Sequence, residues 1–217
     1  MLQVKWGRDM KEKILIAAME EFADKGYRGA TLRGIAGKIG VTAALVNYHY
    51  GSKARLADAV IEAERRAVSV PIVADLNGIV SDLSWRAALK EFIYRVIDVF
   101  TSDEVPNRYF AALYRQEAAN VSDKVKSLHD TCLMPVYDQL EKLVALGVPA
   151  GDQYAPRLWA LSLWNLVLAY ARKDPHRVGA YIPEGLSPAL FRTVAVDFMV
   201  DRVLGLLHYV DPQPAKA

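Results

Sequence analysis

TLRGIAGKIGVTAALVNYHYGSK, residues Thr31 to Lys53, reads as two short helices joined by a tight turn. Thr31 is placed to cap the first helix, whose inward face is Leu32, Ile35, Ala36 and Ile39. Gly40 ends it and permits the sharp turn that lets Leu32, Ile35 and Ile39 pack on Val41, Leu45 and Val46. Thr42 caps the second helix, which runs to about Tyr48, and Ser52 caps a longer one through Leu56, Val60 and Ile61. Around this stretch, residues 25–57 hold Lys25, Arg28, Arg33, Lys38, Lys53 and Arg55 and not one Asp or Glu. A helical pair stripped of negative charge has the phosphate backbone of DNA as its natural counter-surface.

In a helix-turn-helix the second helix enters the major groove while the first crosses the backbone. The outward positions of the second helix are Thr42, Ala43, Ala44, Asn47 and Tyr48, followed by His49. Asn47 can pair bidentately with an adenine edge, and the methyls of Ala43 and Ala44 can meet thymine methyls. Thr31, Arg33, Tyr48, His49 and Lys53 carry donors suited to phosphate oxygens, which fix position without reading sequence. The start of the following helix at Ser52 adds backbone N–H groups for a further phosphate. On spacing alone, a basic helical pair is also what a solvated surface looks like. NYHYGSK tips the reading, because its polar and aromatic groups end a helix too short to bury them; Tyr50 is the one expected to pack inward.

These residues carry a family resemblance. Thr31-Leu32-Arg33-Gly34-Ile35-Ala36, Gly40-Val41-Thr42 and Val46 through Leu56 closely resemble the DNA-binding module of TetR/AcrR-type transcriptional regulators across about residues 10–57. Two features depart from the pattern: Asn47 stands where many members carry Tyr, and Ala43-Ala44-Leu45 leaves few side-chain donors on the second helix of the pair. Gly34 and Gly37 also weaken the helix before it, each by about 1 kcal/mol relative to Ala.

The rest of the chain reads as helical, with no strand-like alternation of any length. Ile14, Ala18 and Phe22 mark a first helix over about 9–25, with Gly26 as a left-handed stop. Further helices are expected near 84–101, 106–119, 121–146, 152–173 and 187–209. Pro71 and the NGIVSD stretch around Asn77 look like a junction, and Pro135 falls inside an expected helix and should kink it. The fold class is therefore all-α, with about nine helices. A three-helix helix-turn-helix domain spans residues 1–56, a helical effector-binding and dimerisation domain 57–210, and an expected disordered tail 211–217.

Charge is unevenly spread. Residues 1–70 hold 12 Lys+Arg against 8 Asp+Glu, and residues 71–217 hold the remaining 15 against 17, so the basic excess is confined to the N-terminal third. Cys132 is the only cysteine, which excludes an intrachain disulfide and suits a reducing compartment. The N-terminus lacks the apolar run of a signal peptide, and Leu158 to Ala171 is too short to span a bilayer, so a cytoplasmic location is expected.

The resemblance implies that the helices after about residue 71 sense a ligand and dimerise. Aromatics crowd this part, and Phe92, Tyr109, Tyr114, His129 and Trp159 are the candidates for lining an effector pocket. The competing reading of such aromatics is plain core packing. Leu158, Leu161 and Leu166 on one helix, with Phe191, Val194, Phe198, Val203 and Leu206 on another, give surfaces apolar enough to need a second copy of the chain. A homodimer of this kind presents two reading helices to successive major grooves about 34 Å apart and so predicts a palindromic operator.

Catalysis finds little support. His49, His129, His176 and His208 share no metal-ligand spacing, Cys132 has no C-x-x-C partner, and no phosphate loop or nucleophile elbow is present. No cofactor is expected. The reading is a repressor on double-stranded DNA, released by a small apolar or aromatic effector. A ligand-responsive activator, an all-helical enzyme and a protein-binding helical module are the alternatives.

Overall fold

A computed structural model of the chain describes residues 9–74, 84–101, 123–147, 154–171, 185 and 187–206. Among them every regular element is helical. The elements are α1 (Met10–Gly29), α2 (Leu32–Lys38), α3 (Ala43–Tyr50), α4 (Lys53–Glu64), α5 (Val70–Ala74), α6 (Trp85–Thr101), α7 (Asp123–Leu128), α8 (Met134–Ala145), α9 (Ala155–Ala171) and α10 (Pro188–Leu206). Two π-helical turns, Arg65–Ser69 and His129–Leu133, join α4 to α5 and α7 to α8. The helix expected at 106–119, the Asn77 junction and the C-terminal tail lie outside the described residues. The chain forms two compact units, one of Met1–Pro71 with Val99–Met134 and one of Ile72–Asp98 with Pro135–Ala217.

The first unit is organised as its caps dictate. The side chains of Asp9, Thr31, Thr42 and Ser52 accept from the backbone N–H groups of Glu12, Gly34, Leu45 and Arg55, so α1 to α4 each start on a satisfied N-cap. Gly26 leaves helical geometry as expected (φ 68°, ψ 169°), but the chain bends rather than stops. Hydrogen bonding resumes and α1 ends at Gly29, with the Ala30 N–H donating to the Gly26 carbonyl. Ile14, Ala18, Met19, Phe22, Ile35, Val46, Leu56 and Val60 form one buried cluster, with Leu32, Ile39, Val41 and Tyr50 packed against it.

Each π-turn sits just before a proline, and the prolines explain them. Proline lacks an N–H, and its ring collides with the carbonyl four residues back in a regular α-helix. For Pro71 and Pro135 those carbonyls belong to Ala67 and Thr131, both inside the π-turns. Opening one turn to i→i−5 bonding, with the Val70 N–H on the Arg65 carbonyl and the Met134 N–H on the His129 carbonyl, makes room for the ring. Pro135 thus distorts its helix as expected. Pro71 does not end one: it sits in the first turn of α5, where proline is tolerated.

Gly34 has a packing reason that its poor helix propensity hides. A Cβ there would lie 2.1 Å from Glu21 Oε1 and 3.2 Å from Thr31 Oγ1, whereas one on Gly37 would meet nothing within 4 Å. Glu21 is buried and its Oε1 accepts from Lys25 Nζ at 2.8 Å, so it cannot retreat freely. Urea unfolding should therefore show Gly34→Ala less stable by about 1–3 kcal/mol through overpacking. Gly37→Ala should gain up to about 1 kcal/mol from helix propensity and unfolded-state entropy. Equal gains for both would disprove the Glu21 contact.

In the second unit, α6 buries Ala88, Leu89, Phe92, Ile93, Val96 and Ile97 along one face. The Trp85 indole donates to the Leu143 carbonyl and lies where a Cβ on Gly147 would be. Arg86 pairs with Asp201 and Lys90 with Asp197, fastening α6 to α10 at its polar edge. Helices α9 and α10 pack on each other.

Candidate nucleic-acid interface

Helix α3 follows α2 across the turn at Gly40, whose φ of 67° is readily adopted by glycine. Val46 is the one residue of α3 that is fully buried, so the helix is held by a narrow apolar edge and presents most of its circumference. Thr42, Ala44, Asn47 and Tyr48 are exposed, Tyr48 to 83%, while Ala43 and His49 are half-buried. Among the described residues, an aromatic this exposed on a short helix takes little part in the chain's own packing. The rings of Tyr48 and His49 meet edge to face at 5.4 Å. Thr31 and Arg33, at the start of α2, are exposed as well.

Tyr50 turns inward as expected. Its hydroxyl donates to the Lys11 carbonyl at 2.9 Å, and burial pushes its pKa up to about 12. It helps line a groove of about 670 Å³ whose other walls include Asp9, Glu12, His49, Glu62 and Arg66.

The cations of the acid-free window divide into three sets. Lys25 pairs with Glu21 at 2.8 Å, and Lys38 with Asp24 at 2.9 Å, which holds the Lys38 ammonium above its usual range. The acids that compensate them lie on α1, outside the window. Lys53 is engaged differently. Its Nζ donates to the carbonyls of Tyr27 at 2.8 Å and Ala30 at 2.9 Å, lies 3.4 Å from that of Arg28, and sits 4.6 Å from the Tyr27 ring centroid. In this arrangement its donors close the C-terminal end of α1 and are not offered to a phosphate. Arg28, Arg33 and Arg55 are exposed and form no ion pair among the described residues. The sequence reading did not count Arg28 and Arg55 among the phosphate contacts, although both stand in the acid-free window.

The remaining candidates fall in different surroundings. Phe92 is 1% exposed in the core of α6, and Trp159 is half-buried on α9. His129 is exposed, its Nδ1 3.3 Å from Asp130 Oδ1, without the burial expected of a pocket-lining group. Tyr109 and Tyr114 lie outside the described residues. Leu158, Leu161, Leu166, Val194 and Phe198 are exposed on α9 and α10, together with Leu190, which sequence reasoning passed over. The side chains of Phe191, Val203 and Leu206 lie outside the described residues.

Comparison with known proteins agrees with this geometry. The chain is 26% identical over 141 residues to the HTH-type transcriptional regulator SrpR of Pseudomonas putida, a match covering 64% of this chain and 63% of SrpR. Its fold matches that of a TetR-like transcriptional regulator from Rhodococcus sp. RHA1 with a TM-score of 0.62 and 21% identity, over 94% of this chain and 97% of that one. A similar match, with a TM-score of 0.62 and 17% identity over 92% and 98% of the two chains, is to AibR in complex with isovaleryl coenzyme A and operator DNA. Residues 14–60, which hold the caps of α2 to α4, the turn at Gly40 and the whole of α3, match the profile of bacterial regulatory proteins of the tetR family.

Proposed function

We propose that the chain is a ligand-responsive transcriptional repressor that binds a palindromic operator as a homodimer. The observation that carries the DNA reading is α3 itself, buried only at Val46 and exposing Thr42, Ala44, Asn47 and Tyr48. Asn47 is the residue with base-reading chemistry, Ala43 and Ala44 offer methyl contacts, and Thr31, Arg33, Tyr48 and His49 supply phosphate contacts. Arg28 and Arg55 extend that set. The exposed apolar edge of α9 and α10 supports self-association, since apolar patches of this kind mark interfaces. The effector reading rests on the aromatic content of residues 84–170 and on AibR, a fold neighbour described with both an acyl-coenzyme A and operator DNA. Such an effector must favour the state that does not bind DNA. A location in the cytoplasm follows from this role; no helix among the described residues is long and apolar enough to cross a membrane.

The test is selection of bound duplexes from a random DNA pool, repeated with Asn47→Ala. The wild-type chain should return an inverted repeat. The variant should lose about 1–3 kcal/mol of discrimination at one base pair per half-site and keep the rest of the motif. Recovery of no motif by the wild type would reject the operator reading, and an unaltered motif from the variant would remove Asn47 from base contact.

A further inference from the structure

The two π-turns of the first unit face each other, and Ser69 Oγ bridges them by donating to the Cys132 carbonyl at 2.7 Å. Glu64, the last residue of α4, is buried at the edge of the first π-turn with 1% exposure. Neither of its carboxyl oxygens has a hydrogen-bond partner among the described residues. A charged carboxylate in such a place loses its hydration with nothing in return.

The described residues around it offer no counter-charge. On its own helix, Glu62 points to the open side and takes bonds from both Arg65 and Arg66, which hold its carboxyl down at about 2. From the second π-turn comes Cys132, whose thiol is pushed up to about 12 by burial first and by Glu64 second; His129 and Asp130 pair with each other at the surface. From α7, Lys124 is paired to Asp58, and Asp123 and Lys126 are exposed. From α1 and α3, Asp9, Lys11, Glu12, His49 and Tyr50 line the groove beside Glu62, Ala63 and Arg66, and Glu21 is taken by Lys25. Burial, acting alone, raises the Glu64 pKa well above 4.5.

We propose that Glu64 is a proton-operated latch: the facing π-turns close around its neutral carboxyl, and loss of that proton loosens them and the helix that carries the reading head. The link to DNA rests on the function proposed above. It runs through α4, whose N-cap Ser52 lies two residues beyond the end of α3. Over the 12 residues of α4 the π-junction and the reading helix are about 18 Å apart along a single rod.

The sign follows from linkage. A carboxyl whose folded pKa lies above its unfolded value gives its full stability below the unfolded value of 4.5. That stability is lost as pH rises through the folded value, at about tenfold in the folding equilibrium constant per pH unit. Cys132 does not titrate in this range.

The experiment is urea unfolding of the full chain between about pH 5 and pH 9, for the wild type, Glu64→Gln and Glu64→Leu. Glu64→Leu needs no hydrogen-bond partner and serves if the amide variant folds poorly. Relative to either variant, the wild type should lose folding equilibrium constant by about tenfold per pH unit until the Glu64 proton is gone. Parallel curves would overturn the latch. In a second arm, affinity for a selected duplex should fall with pH for the wild type relative to Glu64→Leu. A constant affinity ratio would overturn the coupling to the reading head. Absence of binding to any duplex by all three proteins would reject the DNA reading and leave the unfolding arm to judge the latch.

Discussion

Placing glutamate at both Leu161 and Phe198 is expected to yield a folded monomer that has lost tight operator binding. These two side chains are 47% and 59% exposed in the single chain, on helices whose opposite faces are already buried through Ala160, Leu163, Trp164, Val196, Met199 and Val200. Their replacement leaves that buried set in place. In a symmetric dimer the same patch meets its own copy, so two added charges per chain become four like charges brought together in an apolar interface. Sedimentation at micromolar concentration should change from dimer to monomer, with the helical circular dichroism unaltered. Affinity for the full palindrome should drop by about a hundredfold or more, because the second half-site is no longer engaged intramolecularly. Affinity for an isolated half-site should stay the same. A variant that still sediments as the wild type would move the interface off α9 and α10. One that unfolds would show that these faces are covered within the chain.

What the sequence disclosed here, and what it withheld, follows the range of the interactions. Caps are local, so Thr31, Thr42 and Ser52 announced α2, α3 and α4 from residue type and spacing alone, and each is a cap in the structure. The pairing of Ile35 with Val46 followed from helical periodicity once Gly40 was read as the turn. The charge pattern was less legible. Six cations with no acid between residues 25 and 57 look free, yet Glu20, Glu21 and Asp24 reach Lys25 and Lys38 from α1, just before the window begins. Only folding decides which cations an earlier helix neutralises. The prolines were visible and a distorted helix at Pro135 was legible from them, but the form of the distortion was not. A proline forbids one regular turn, and whether the chain answers with a break, a kink or a π-turn depends on what packs beside it. At Pro71 the reading favoured a break; the helix instead continues through a π-turn.

Lys53 carries the other large prediction, because its position suggests one role and its contacts another. At the start of α4, beside the reading helix, a lysine is expected to hold a phosphate. Its ammonium instead closes the C-terminal end of α1, where the Tyr27 and Ala30 carbonyls gather beyond the bend at Gly26. A cation there satisfies carbonyls left over at a helix end, favours the negative pole of the helix and stacks on the Tyr27 ring. Lys53→Ala should therefore destabilise the protein by about 1.5–3 kcal/mol, the range for a lost hydrogen bond to a charged group. Thermal or urea unfolding reads this directly. Its operator binding at saturating stability, in the cold and without denaturant, should show the wild-type dependence on salt. Arg33→Ala and Arg55→Ala should do the reverse, keeping stability and lowering the salt slope by about one each. A Lys53→Ala protein of unchanged stability with a shallower salt slope would return Lys53 to the phosphate. It would also mean that its ammonium leaves the end of α1 when DNA arrives.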